Sequence, residues 1–431
     1  MVPFSSPSLL IRRYPILGVV VLHLLLLAAL TSVLYCFGVI HYLPDNENIA
    51  RWDVYWYSLI RENGYSYSTT SSSTAAFFPL LPYFWRFTHL DALGMGLLNF
   101  SIFLVAFAWL AHQLRLSAHW ALLLLSTPSL LFMVIPYTEA LFFLFSTLLL
   151  LGLHRGRLSW WMLGLVGCGL TRSASTMFVP ALLFTTLLWA AQPGQGRRAL
   201  QWGGLGMLSN GIAVGTVMFI QWYQMDEPFA FYKAQRFWGH HLQALHYPFV
   251  TPSGINMLWL DALALWVGLA SIAVCSWLAF RWLRRRRQPL PAVPPAVVFA
   301  LGYCVCITLF ILSHQGGSLW NFGRYVLTTP FFVVLVWYLS TQPAWPRRFY
   351  AYLLLATLAL WQVFGVFTVE FDNFTQGQAL WYFALLTAYL FLYLTLRQLR
   401  WKREIFMGLY VFNIIMQLHL LECFIQYFVV Q

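Results

Sequence analysis

The chain has 431 residues, of which 60% are hydrophobic, 19% aromatic and only 9% charged, where soluble globular proteins carry about a quarter. Charge at that density can neither cover a water-soluble particle nor keep a disordered chain solvated, which excludes a soluble enzyme and a disordered protein. The net charge of +12 raises the question of a nucleic-acid partner, and the positions of the charges answer it.

Apolar runs of the length that crosses a bilayer, about 20 residues, are predicted near 16–40, 94–113, 119–135, 139–153, 158–171, 174–191, 199–222, 259–280, 294–313, 326–341, 349–368, 378–396 and 405–429. They predict an all-α polytopic membrane protein of about thirteen transmembrane helices, a single membrane-embedded domain over 1–431. The first run follows Arg12 and Arg13 and has no small-residue cleavage site, so it is expected to stay as an anchor with the N-terminus cytoplasmic. If the spans alternate, 18 of the 25 basic residues and, among the 13 acidic ones, only Glu404 fall on the cytoplasmic side. The positive-inside rule is met, and the basic excess reads as an orientation signal with no nucleic-acid meaning.

The long polar connections 41–93 and 223–258 then fall together on the outer side, where chemistry is expected. Both are rich in aromatics, as headgroup-level segments are. In the first, Ser66–Ala76 is small and polar and predicts a flexible strap that orders with substrate. Before it, Asn48–Ile60 predicts an interfacial helix whose apolar stripe is Ile49, Trp52, Trp56, Leu59 and Ile60, with Asp53 at its edge beside Tyr57. Arg51 and Asp53 point to nearly opposite sides of such a helix. A carboxylate at the membrane rim without a local partner fits either a solvated surface position or a catalytic base.

Three further charges stand where charge is expensive. Glu139 opens a run after Pro136-Tyr137-Thr138, which suits compensation of a helix dipole after a Thr138 cap or a functional role. Arg172 interrupts a long apolar stretch, as expected where two short helices meet at a polar break, and an arginine there suits a phosphate. Arg324 and Tyr325 open a span in the same outer layer. The six cysteines read as small packing residues. His240, His241 and His246 fit no zinc spacing, and no metal site is expected. No G-x-S-x-G, dinucleotide or P-loop pattern occurs. Asn373-Phe374-Thr375 is a glycosylation sequon on the outer side.

The order Arg51-Trp52-Asp53, Gly64-Tyr65, then Phe77-Phe78-Pro79-Leu80-Leu81-Pro82 resembles the signature of the PIG-V type mannosyltransferases, relatives of the second mannosyltransferase of glycosylphosphatidylinositol anchor synthesis. Downstream, Tyr137-Thr138-Glu139, Thr171-Arg172 and the stretch from Pro228 through Gln235 to Trp238 extend the likeness, the last resembling bacterial members. It runs from about residue 51 to 330, and 326–431 matches by hydropathy alone. The resemblance implies the GT-C glycosyltransferase fold with Asp53 of the first outer loop as catalytic base. It implies Arg51, Trp52, Glu139, Arg172, Gln235, Trp238, Arg324 and Tyr325 as the substrate and phosphate set, with Tyr65, Phe77, Phe78, Pro79 and Pro82 as loop walls.

The implied donor is a polyprenyl- or dolichyl-phosphate sugar, with mannose as the sugar; the acceptor, a glycan, lipid or protein hydroxyl, stays open. No metal or other cofactor is expected, because the arginines supply the positive charge. Asp53 would deprotonate the acceptor, Arg172 or Arg324 would stabilise the leaving phosphate, and Glu139 would position the acceptor. The resemblance implies a bacterial inner membrane with a periplasmic site, or an endoplasmic reticulum membrane with a lumenal one. Two alternatives stay open at this point. A flippase for lipids or lipid-linked sugars predicts inverted repeats, and none is visible. A membrane acyltransferase predicts a paired intramembrane histidine, for which His314 at a span edge is the candidate.

Overall fold

Strongly apolar stretches with internal backbone hydrogen bonding dictate the architecture, because in lipid every backbone polar group needs a partner within the protein. The computed structural model describes residues 15–239, 241–245, 249, 255–284, 290–343, 345–365, 376–395 and 402–428. Among them every regular element is helical. Seven helices are long and apolar enough to cross a membrane: Pro15–Cys36, Ala92–Gln113, Ser173–Ala190, Gly196–Met225, Met257–Leu283, Pro295–His314 and Glu404–Ile425. The chain is therefore a multi-pass membrane protein. His240, His246 and the sequon Asn373–Thr375 lie outside the described residues.

One expected span takes another form. The run 119–135 is divided into a helix, Ala118–Leu125, and a 3-10 turn, Pro128–Met133, because Pro128 cannot donate to a continuing helix. Glu139–Arg155 and Leu158–Thr171 keep close to the expected bounds and form an antiparallel hairpin around Gly156, which takes the left-handed conformation at φ 68°. Glycines let the two backbones touch: a Cβ on Gly152 would lie 2.5 Å from the backbone nitrogen of Trp161, and one on Gly164 would lie 2.4 Å from that of Leu149. This close hairpin carries Glu139 at its first residue and Arg172 just past its last, so both arrive at the same end of the bundle.

The two ends differ in chemistry. At one, Arg155 reaches the carbonyl of Gln113 (3.4 Å), Arg198 lies over Trp189, and Gln192 bonds the carbonyl of Pro291 (3.3 Å). At the other, the connections 41–93 and 223–239 meet.

The first connection is more ordered and differently phased than expected. Its helix runs Asp53–Asn63, because Trp52 adopts φ 54° and breaks the chain just before Asp53. The buried face is Val54, Tyr57 and Ile60, while Trp52, Trp56 and Leu59 of the expected stripe are only half-buried. Starting the helix five residues later changes which residues lead into its buried face. The segment 66–76 is not a free strap. Ser66 N–H donates to Thr74 Oγ1 (2.7 Å), Ser72 Oγ to the carbonyl of Phe237 (3.3 Å), and Arg236 to the carbonyl of Thr69 (2.8 Å). Polar side chains in a short connection tie it to the second connection instead of solvating it.

The last helix, Lys402–Ile425, packs along the turn 128–133. Glu422 accepts from the backbone N–H of His41 (2.6 Å), Phe424 lies edge-on to Tyr137 at 5.9 Å, and Tyr427 lies 6.3 Å from Trp52. The C-terminal helix thus packs behind the segments that carry Trp52 and Tyr137.

Candidate active site

Asp53 comes from the first turn of Asp53–Asn63, Glu139 from the first residue of Glu139–Arg155, and Arg172 from an extended residue (φ −146°) between Leu158–Thr171 and Ser173–Met177. Arg324 comes from the short helix Phe322–Val326. Four separate segments thus deliver two carboxylates and two guanidiniums to one place.

Glu139 Oε1 accepts from Arg324 Nε and from Arg172 Nη1, the latter at 3.1 Å. Arg324 Nη1 continues to Asp53 Oδ2 at 3.2 Å, so that the order is Arg172, Glu139, Arg324, Asp53. The four formal charges cancel, which is what allows them to be buried together. Aromatic faces complete the setting: Arg324 lies over Tyr137 (4.2 Å) and Arg172 over Tyr325 (4.6 Å). The Asp53 backbone N–H donates to the Tyr137 hydroxyl at 3.3 Å.

Exposure divides the group. Glu139 is fully buried and Arg324 and Arg172 are 4% and 8% exposed, whereas the Asp53 side chain is 24% exposed. Asp53, Arg172 and Arg324 all line a cavity of about 450 Å³. Burial raises the Asp53 carboxyl above its ordinary range, and the Arg324 guanidinium counteracts this only in part. A carboxylate so placed is a stronger base than a solvated one.

The remaining walls are aromatic on one side and amide on the other. Trp56 stacks on Phe77 at 6.1 Å, and Trp238 stands edge-on to both at 5.2 and 5.3 Å. Gln235, Gln243, Gln315 and Asn321 also line the cavity. Such a surface pairs apolar faces with hydrogen-bonding groups and suits a polyhydroxylated ring.

Of the residues expected at the site, Asp53, Trp52, Phe77, Phe78, Arg172, Gln235, Trp238, Arg324 and Tyr325 do line this cavity. Others do not. Arg51 turns away and stacks its guanidinium on Tyr427 at 3.7 Å, because the break at Trp52 separates its direction from that of Asp53. Glu139 sits behind the arginines and cannot position an acceptor; nor is it a cap-assisted dipole partner, since Thr138 makes no side-chain cap. Tyr65 is buried behind the wall, its hydroxyl bonding the Phe77 carbonyl at 3.0 Å. Pro79 and Pro82 shape the start of the helix Leu80–Thr88. Asp53, expected to lack a local partner, pairs with Arg324, which lies 271 positions away in sequence and which no local pattern could reveal.

No family model, curated protein or solved structure matches the chain.

Three residues at or behind the site were missed in the sequence. Tyr137 lies inside a quoted motif, yet its contact with Asp53 depends on tertiary packing. Asn321 adopts φ 66° and bonds Arg324 weakly at 3.5 Å. Asp261 gave a usable signal, a lone carboxylate inside an apolar run.

Proposed function

We propose that the chain is an inverting glycosyltransferase that moves a sugar from a polyprenyl-phosphate donor to an acceptor hydroxyl at the membrane surface. The observation that carries this reading is one cavity holding a basic carboxylate, Asp53, beside two buried arginines, Arg172 and Arg324, at an end of a membrane bundle. Exposed aromatics at the same end, Tyr55, Phe87, Tyr223 and Tyr232, suit a headgroup-level belt, where a lipid donor would present its phosphate.

In this mechanism the acceptor oxygen attacks the anomeric carbon as Asp53 takes the acceptor proton. The bond between the anomeric carbon and the phosphate oxygen breaks with its electron pair, and polyprenyl phosphate departs from the opposite face. Charge developing on the phosphate is met by Arg172 and Arg324, already oriented by Glu139. Arg324 Nη1 is paired with Asp53 (3.2 Å). Binding of a donor phosphate competes for that guanidinium and releases the carboxylate toward the acceptor.

The sugar is mannose and the architecture is of the GT-C type with further short spans, by the motif resemblance around Asp53, Phe77-Phe78 and Arg172. The same likeness argues for a periplasmic site in a bacterial inner membrane, or a lumenal one in the endoplasmic reticulum. The test is transfer from labelled polyprenyl-phosphate mannose by the purified protein, with polyprenyl phosphate as co-product. Asp53→Asn keeps the side-chain volume and removes the base, so kcat falls by about 10²–10⁴-fold. Near-normal transfer by folded D53N refutes the assignment, and movement of intact donor across vesicles without its cleavage supports a flippase instead.

A further inference from the structure

The short helix that carries Arg324 is bonded at its start by a carboxylate outside the cavity lining. Asp261 lies near the start of the membrane-spanning helix Met257–Leu283 and is 1% exposed. Its Oδ1 accepts the backbone N–H of Gly323 at 2.8 Å, one residue before Arg324. The short helix Phe322–Val326 has no cap of its own, since Asn321 precedes it at φ 66° without a side-chain cap bond. Its first N–H groups need acceptors, and Asp261 supplies one from another helix. From the other side, the Tyr303 hydroxyl donates to the carbonyl of Tyr325 at 3.0 Å. Gly323 is fitted to this approach: a Cβ there would lie 3.1 Å from Asp261 Oδ1.

A carboxylate inside a membrane span is costly and is retained where it has a task. We infer that Asp261 is a positioning residue for the transfer reaction, fixing the Phe322–Val326 helix so that the Arg324 guanidinium meets the leaving phosphate. The inference rests on the transferase reading for its kinetic consequence, but its geometric part stands apart from it. Misplacement of a charged group by about 1 Å costs on the order of 10²-fold in rate. Because Arg324 meets the donor phosphate on binding and the further charge that develops during transfer, the loss falls on kcat and, to a smaller degree, raises KM for the donor.

The test uses the full-length protein purified in detergent, with Asp261→Ala, Asp261→Asn and Gly323→Ala. Two readouts are taken: transfer kinetics, and the rate at which phenylglyoxal modifies Arg324, followed by mass spectrometry without substrate. D261A is expected to lower kcat by roughly 10²-fold. It also speeds modification by roughly ten- to hundredfold, the equilibrium factor of one hydrogen bond to a charged acceptor. D261N still offers an amide oxygen to Gly323 and returns both values most of the way to wild type. G323A, with Asp261 intact, reproduces the direction of the D261A change and decides the matter if D261A does not fold. Unchanged Arg324 reactivity in D261A and G323A overturns the inference, as does a lower yield of folded D261A with unaltered kcat per folded molecule. If the wild type transfers no sugar, the transferase reading fails, and Arg324 reactivity alone then decides whether Asp261 holds it.

Discussion

Glu139→Gln is the most informative single change to the buried charge network. The wild-type side chain is fully buried, and one oxygen serves both Arg172, at 3.1 Å, and Arg324. Glutamine retains that acceptor oxygen and nearly the same volume, so packing is unaltered and only charge is removed. Two hydrogen bonds between ions become bonds from an ion to a neutral amide, and each loses about 1–1.5 kcal/mol on the difference between charged and neutral bonds. The group, formally neutral in the wild type, gains one unpaired positive charge in a nearly dry setting; breaking such buried pairs costs about 3–5 kcal/mol in total. The expected destabilisation is therefore about 2–5 kcal/mol, with the lower figure applying if Asp53 moves closer to Arg324. Chemical denaturation in mixed micelles measures it, and a double-mutant cycle with Arg172→Gln isolates the pair. The double variant, which restores neutrality, should recover part of the loss. Equal stability of E139Q and wild type, with no coupling in the cycle, would refute the view that Glu139 organises the two arginines.

Other outcomes follow from neighbouring features. With its carboxyl raised by burial, Asp53 must be ionised to act as base, so the acid limb of kcat/KM against pH should lie above the ordinary carboxylate value of 3.8; a limb at or below it counts against Asp53. The same shift carries a sign for stability, because a carboxyl whose folded pKa is raised binds its proton more tightly when folded, and ionisation weakens the fold as pH rises through that value. D53N should then be at least as stable as wild type at neutral pH, a contrast with E139Q that the same denaturation experiment reads. Arg324→Lys keeps the charge but cannot serve Glu139 and Asp53 through separate nitrogens, and transfer should fall by at least about tenfold without recovery at high donor. In Gly96→Ala the added Cβ would lie 2.2 Å from the carbonyl oxygen of Val134, so the turn carrying Tyr137 must shift; the cost should be about 1–3 kcal/mol with reduced kcat, and an unperturbed melt would show that the turn yields freely.

Legibility varied with the range of the interaction. Asp53, Arg172 and Arg324 were found because charge is scarce in this chain, and each stands beside an apolar run. The break between helices at Arg172 was likewise expected from a stretch too long for one span. Arg51 was misplaced because a positive φ at the following tryptophan leaves no trace in hydrophobic periodicity. The strap at 66–76 was misjudged since its serines and threonines look the same in sequence whether water or Phe237 and Arg236 satisfy them. Glu139 illustrates a third case, in which the residue was found and its role was not: first-turn position is local, but its two arginine partners come from elsewhere.

By itself the sequence determined that the chain lives in a membrane and is helical, and it determined which few charges stand out. These follow from the cost of exposing apolar surface and of leaving backbone groups unpaired in lipid, which act on every residue in turn. Only the tertiary structure decided that Arg172, Glu139, Arg324 and Asp53 form one neutral series, that Asp261 supports it from a neighbouring span, and that the C-terminal helix backs it. The Asp53–Arg324 pair alone joins residues 271 positions apart. Electrostatic energy depends on distance in space and on local burial, and neither is encoded at any fixed spacing along the chain.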